Sequence, residues 1–159
     1  MTDIELLRHT LATLSYRSAK TMRSAPDSFA GFKPGPTSKT PLQIVAHMGD
    51  LFDWALTMLD GRWKWHNSTP LPWRDECERF FRTLKQFDTA VASGQPIKTD
   101  LTKIFSGPIA DALTHTGQLA TLRRLAGCPM KGESYARADI VIGRIGLEQT
   151  PANPQFEFD

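Results

Sequence analysis

Four separate stretches of the chain space their apolar residues at alternating intervals of three and four. A chain patterned this way buries them by packing helices side by side. The first stretch carries Ile4, Leu7, Leu11 and Leu14. Thr2, with Glu5 three residues on, forms a capping box ahead of it, and the pattern predicts a helix that ends near Ala25-Pro26. The second has the clearest start: Thr40 caps, Pro41 suits the first helical position, and Gln43 closes the box. Leu42, Val45, Phe52, Leu56 and Leu59 form its stripe. Ile44, Met48, Leu51, Ala55 and Met58 widen the stripe until only a narrow strip around Asp50, Asp53 and Thr57 stays polar. This helix, reaching Asp60-Gly61, is expected to be largely buried, with the strip facing solvent.

The third stretch repeats at Trp73, Cys77, Phe80, Leu84, Phe87 and Val91, a seam of the kind bundles use, with a charged outer face. The fourth is expected to begin after Gly107, with Pro108 at its first position, and to stop at Gly127 with Pro129 just beyond. Residues 98–106 would add a helical turn before it. Phe29 and Phe32, in a loop rich in Pro and Gly, are expected to plug one end of the core. Strand patterning is almost absent, so the reading is an all-α four-helix bundle. At 159 residues the chain is expected to be one domain, with a bundle core over about 2–127 and a strap over 128–159. Within the strap, "ADIVIGRIG" suits a short strand or an extended segment packed along an edge of the bundle.

Charge narrows the partners. Nineteen Lys and Arg stand against 17 Asp and Glu, and no block of like charge is long enough to make a concentrated basic face. Nucleic-acid and membrane-surface roles are therefore not expected. The two cysteines, Cys77 and Cys128, lie far apart and in no metal or redox spacing. They read as reduced thiols, and with a charged helical N-terminus the chain reads as cytoplasmic.

Against this apolar background one pair is out of place. With each residue advancing about 100° around a helix axis, Asp111, His115, Leu119, Leu122 and Ala126 share one face, so a carboxylate and an imidazole sit on the stripe meant for the core. Such groups are costly among leucines unless they meet each other, another polar group or a metal. His47, on the side of the second helix that carries Leu51, Trp54 and Met58, is the natural partner. Two imidazoles and a carboxylate converging inside a bundle suit Zn²⁺ with an open position, or Fe²⁺ or Ni²⁺. A satisfied His–Asp hydrogen bond explains the same residues without a metal.

Two of these stretches, "TPLQIVAHMGDLFDWAL" and "DALTHTGQLATLRRLAG", resemble the second and last core helices of the DinB/YfiT-like superfamily, and the resemblance extends from the first helix to Gly127. It implies a bundle holding a divalent metal through three histidines, one on the second helix and two spaced by four on the last. His47 and His115 match two of those positions, and Asp111 stands at the third, a harder and charged ligand. The superfamily includes transferases and isomerases that use a low-molecular-weight thiol, and proteins described as metal-dependent hydrolases. The resemblance thus implies a metal-dependent enzyme acting on a small-molecule substrate. A non-catalytic helical module, as a homodimer binding metal or a small ligand, is the alternative class.

The remaining candidates are read structurally. His9 projects opposite the first helix's stripe and is expected to be exposed, and His66 lies in the tryptophan-rich loop as a solvated side chain. Gln118, one turn beyond His115, can orient that ligand. Asp50 is expected in solvent. Trp54 and Trp63 can line a pocket or serve as core and rim. Cys77 reads as an inert core thiol, and Cys128 lies at the negative end of a helix dipole, which disfavours a thiolate. Arg123 and Arg124 are expected to be solvated cations of the last turn. Glu133, Tyr135, Arg137 and Arg144 are polar enough to rim a site.

Overall fold

The computed structural model describes residues 1–159. Three long helices, α1 (Asp3–Met22), α2 (Pro41–Leu59) and α3 (Trp73–Ala92), are followed by a short helix α4 (Leu101–Ile104) that continues through a π turn (Phe105–Ile109) into α5 (Ala110–Leu125). Strands β1 (Gly132–Glu133) and β2 (Glu157–Phe158) pair antiparallel, with Gly132 opposite Phe158 and Glu133 opposite Glu157. The architecture is all-α: α1 and α2 each pack on both α3 and α5, so they occupy opposite corners of a four-cornered bundle. No helix is long and apolar enough to cross a membrane.

Both capping boxes form. Thr2 accepts from the Glu5 amide and Thr40 from the Gln43 amide, while the Glu5 and Gln43 side chains return the bond to the cap amides. The stripes then meet as their spacing requires. Phe52 packs against Phe80 and Phe87, with ring centroids 6.1 and 5.8 Å away, in a buried apolar cluster that also holds Leu11, Leu14 and Met48. Phe29, fully buried, sits edge-on to Trp73 and plugs one end of the core.

The fourth helical rod departs from expectation at its start. Asp100, not the residue before Pro108, supplies the cap by accepting from the Thr102 amide. Pro108 lies inside the rod, where an α-helix would lose a hydrogen bond and clash with the preceding turn. The backbone widens to a π turn there, and the Ala110 amide donates to the Phe105 and Gly107 carbonyls, so the interruption is absorbed without ending the helix.

The polar strip of α2 faces water only in part, Asp53 and Thr57 being half-buried. Asp50 is 3 % exposed because Arg79 of α3 reaches across to it, and so the charged face expected on the outside of α3 is partly buried. The Arg79 guanidinium donates to Glu76 Oε1 (2.5 Å), Ala46 O (2.7 Å), Ser68 Oγ (2.8 Å), Asp50 Oδ1 (3.0 Å) and Asp53 Oδ2 (3.1 Å). Gly49 makes this crossing possible: a Cβ there would stand 2.7 Å from Arg79 Cζ. A part-buried pair links α1 to α3, where Arg8 donates twice to Asp88 at 2.9 Å.

Arg123 also reverses its expectation. It is 3 % exposed, and its guanidinium donates to Cys128 O (2.7 Å), Thr21 O (3.1 Å) and Ser24 Oγ (3.3 Å), tying the end of α5 to the end of α1. Arg124 remains exposed. The strap packs on the bundle as a non-strand segment at 138–146: Gly146 N donates to Ser15 Oγ at 3.0 Å, and Ile145 and Leu147 rest on the core. Tyr16 donates to Glu133, and Lys20 bridges Glu133 and Glu157, each at 2.8 Å. Tyr135 meets Tyr16 edge to face beneath Arg17, Arg137 covers Phe156, and Arg144 bonds Asp139 and Thr150. These four polar residues of the strap, Glu133, Tyr135, Arg137 and Arg144, thus hold it together and to α1.

Candidate metal centre

α2 and α5 run side by side and bring His47, Asp111 and His115 together. Their ligating atoms all lie within 4.8 Å of one another. His47 Nε2 is 3.1 Å from Asp111 Oδ2, and His115 Nε2 is 3.4 Å from Asp111 Oδ1. The two imidazoles meet edge to face, centroids 4.9 Å apart. The cluster stands at the rim of the core, not within it: side-chain exposure is 13 % for His115, 24 % for His47 and 43 % for Asp111. Further along α5 the stripe is buried at Leu119 and Leu122 as its spacing requires. The polar pair occupies the start of the stripe, where Asp111 borders a cleft.

Gln118 acts as the spacing on α5 suggests. Its Oε1 lies 2.7 Å from His115 Nδ1, and a carbonyl oxygen only accepts, so the ring proton belongs on Nδ1. In the neutral ring the Nε2 lone pair then faces a carboxylate oxygen. Two lone pairs in that relationship repel unless a cation, a proton or a metal, lies between them. Tetrahedral coordination at about 2.0–2.1 Å separates donors by about 3.4 Å, the spacing of His115 Nε2 from Asp111, while His47 Nε2 stands at the 3.1 Å of a hydrogen bond to Asp111. The three side chains form a group that could hold a metal ion.

Beside Asp111 lies a cleft of about 410 Å³. Leu51 and Trp54 of α2 form one wall, and the π turn at Gly107 and the first turns of α5 form the other. The loop over 60–72 borders this side of the molecule. Trp65 packs 5.4 Å from the His47 ring and 5.8 Å from Trp54, and Trp63 lies 5.9 Å from Trp54, both contacts with Trp54 being edge to face. Trp63 adopts φ 52°, a left-handed conformation that costs a non-glycine residue about 1 kcal/mol or more. Its indole N–H donates to Thr99 at 3.0 Å, which holds it there. The loop is pinned at its far end too: Asp50 accepts from the Ser68 amide and Glu76 from the Leu71 amide.

Asp50, Asp53 and His66 form a second group with ligating atoms within 4.8 Å. His66 is exposed in its loop as expected, with Nε2 standing 3.7 Å from Asp50 and 3.6 Å from Asp53. Burial pushes the Asp53 carboxyl above its usual range, against the opposing pull of Arg79 and His66. Arg79 already donates to both carboxylates, so the cation this group calls for is built into the chain. Sequence patterning offered one sign of it, a glycine in the middle of a helix, which marks close approach by another group.

The other candidates lie elsewhere. His9 is half-buried on α1 where exposure was expected. Cys77 is buried, and burial pushes its thiol up to about 12, which makes it the inert core residue its position on the seam suggests. Cys128 is half-buried at the end of α5. Compared with family models, curated proteins and solved structures, the chain gives no significant match.

Proposed function

We propose that this chain is a divergent DinB/YfiT-like protein in which His47, Asp111 and His115 hold a divalent metal, and that it acts as a metal-dependent enzyme, a hydrolase or a transferase using a low-molecular-weight thiol. The observation that carries the reading is the convergence of two imidazole nitrogens on one carboxylate at 3.1 and 3.4 Å, with Gln118 holding one of the rings in the metal-binding tautomer. When bound, such an ion supplies Lewis acidity and a nucleophile at neutral pH. His47 and His115 fix the ion's place at the rim of the bundle. Asp111, the most exposed of the three, borders both the cluster and the cleft, so a substrate in the cleft meets the reacting centre. Trp65 packs beside the His47 ring on the loop side.

The test is elemental analysis of untagged protein purified without chelator, repeated on His47→Ala and His115→Ala, with circular dichroism as a control for folding. Near-stoichiometric metal in the parent, lost in both variants, supports the reading. Metal that persists in both variants, or a parent without metal whose Asp111 simply bonds the two imidazoles, sinks it and favours the non-catalytic module.

A further inference from the structure

We propose that the groove on the side of the cluster away from the cleft binds the carboxylate of a small aliphatic substrate. Its role in catalysis rests on the metal reading, while the binding itself uses groups that no metal touches. The groove lies between α2, α5 and the loop ahead of α2, and encloses about 470 Å³. Ile44 and Gln118, both in its lining, stand three residues before His47 and three after His115. The groove is therefore one helical turn, about 5 Å, from the two imidazoles.

Charge decides what the groove prefers. Lys39 is the only charged residue in the lining, and no carboxylate opposes it there. Its ammonium enters none of the chain's ion pairs. An anion in the groove thus gains a counter-charge that no internal partner has claimed. A single positive charge matches a carboxylate more closely than a phosphate dianion.

The neutral groups favour the same ligand. Gln118 uses its oxygen on His115 Nδ1 at 2.7 Å, which leaves both amide N–H groups to donate. Ser38 adds a hydroxyl from the loop. Thr121 does not, because its proton returns to the Gly117 carbonyl at 3.2 Å. Beneath these donors Ile44 and Leu122, 3 % and 8 % exposed, form an apolar floor. A cation and amide donors above an apolar floor suit a carboxylate on a short hydrocarbon chain. Since Gln118 borders groove and cluster alike, the far end of that chain is within reach of the metal ligands.

The test follows the ¹⁵N-labelled full chain by NMR as butyrate and, separately, butan-1-ol is added. Butyrate is expected to shift the Gln118 side-chain amide and the Lys39 backbone amide to saturation, and butan-1-ol to leave both in place. Lys39→Met is expected to weaken butyrate by about threefold or more, and Lys39→Arg to keep it within about twofold of the parent. Lys33→Met, outside the groove, is expected to change nothing. Both lysines are exposed, and the spectra themselves report folding. His47→Ala separates the groove from the metal, and butyrate is expected to bind it as it binds the parent. Failure of butyrate to bind, equal shifts from both probes, unchanged affinity in Lys39→Met, an equal loss in Lys33→Met, or loss of butyrate binding in a folded His47→Ala overturns the subsite. Butyrate binding in a chain that takes up no metal overturns the metal reading and leaves the subsite standing.

Discussion

His115 Nδ1 and Gln118 Oε1 lie 2.7 Å apart on the same face of α5, and this bond turns the opposite ring nitrogen toward Asp111. Removing it leaves the ligand free to rotate and to change tautomer. Gln118→Leu is expected to weaken metal affinity about 10–100-fold, measured by competition with a chromophoric chelator. Because Gln118 is exposed, folding stability should stay within about 0.5 kcal/mol of the parent. Unchanged affinity would remove Gln118 from the site.

Gly49→Ala tests the crossing of Arg79 over α2. In an ordinary helix interior alanine is favoured over glycine by about 1 kcal/mol. Here its methyl would strike the guanidinium, so the substitution is expected to destabilise by about 1–3 kcal/mol. Urea unfolding gives the sign directly, and a stabilised variant would mean that Arg79 does not lie against the helix. Loop 60–72 should loosen in the same variant, because Ser68 and Asp50 share the guanidinium, and Trp65 emission should then shift to the red.

Arg123 and Arg124 are neighbours with opposite fates. Arg123→Met removes charged bonds to two carbonyls and a hydroxyl, and is expected to cost about 2 kcal/mol or more. Arg124→Met, at an exposed position, should change stability by no more than about 0.5 kcal/mol. Thermal melts of the two variants side by side check the contrast, and equal melts would place Arg123 in solvent.

Alkaline pH should reveal three held protons. Burial and the bond to Glu133 raise the Tyr16 phenol above its ordinary value, burial raises Tyr135, and burial pushes the Cys77 thiol up to about 12. In each case the folded state keeps its proton to higher pH than the unfolded chain does. The stability this provides is full below the unfolded values, near 8.5 for Cys and near 10 for Tyr, and is lost as pH rises through the folded ones. Ultraviolet difference spectra of native protein at a pH of about 10 should show little phenolate from the chain's two tyrosines. Half-ionised tyrosine in a chain that is still folded would contradict the buried contacts.

The helices could be read from local pattern because their causes are local. Thr2 and Thr40 cap by bonds three residues away, and the seam from Trp73 to Val91 depends only on spacing. The same holds for the pairing of Asp111 with His115, which one helical turn places together. Pro108 departs from its expected place at a helix start because the rod is capped upstream at Asp100 and widens to a π turn around the proline. Asp50 and Arg123 depart from expectation for a different reason. Whether a charged side chain on a helix faces water depends on what crosses it, and Arg79 comes from 29 residues downstream of Asp50.

Amphipathic spacing and capping were enough to specify an all-α bundle and to mark His47, Asp111 and His115 as misfits on apolar faces, since burial energy follows side-chain periodicity along each helix. How those faces meet was settled only by packing between helices. That packing set the cluster at the rim beside a cleft, drew Asp50 and Arg123 into the interior, and brought the tryptophan loop against His47, because each of these contacts joins residues far apart in the chain.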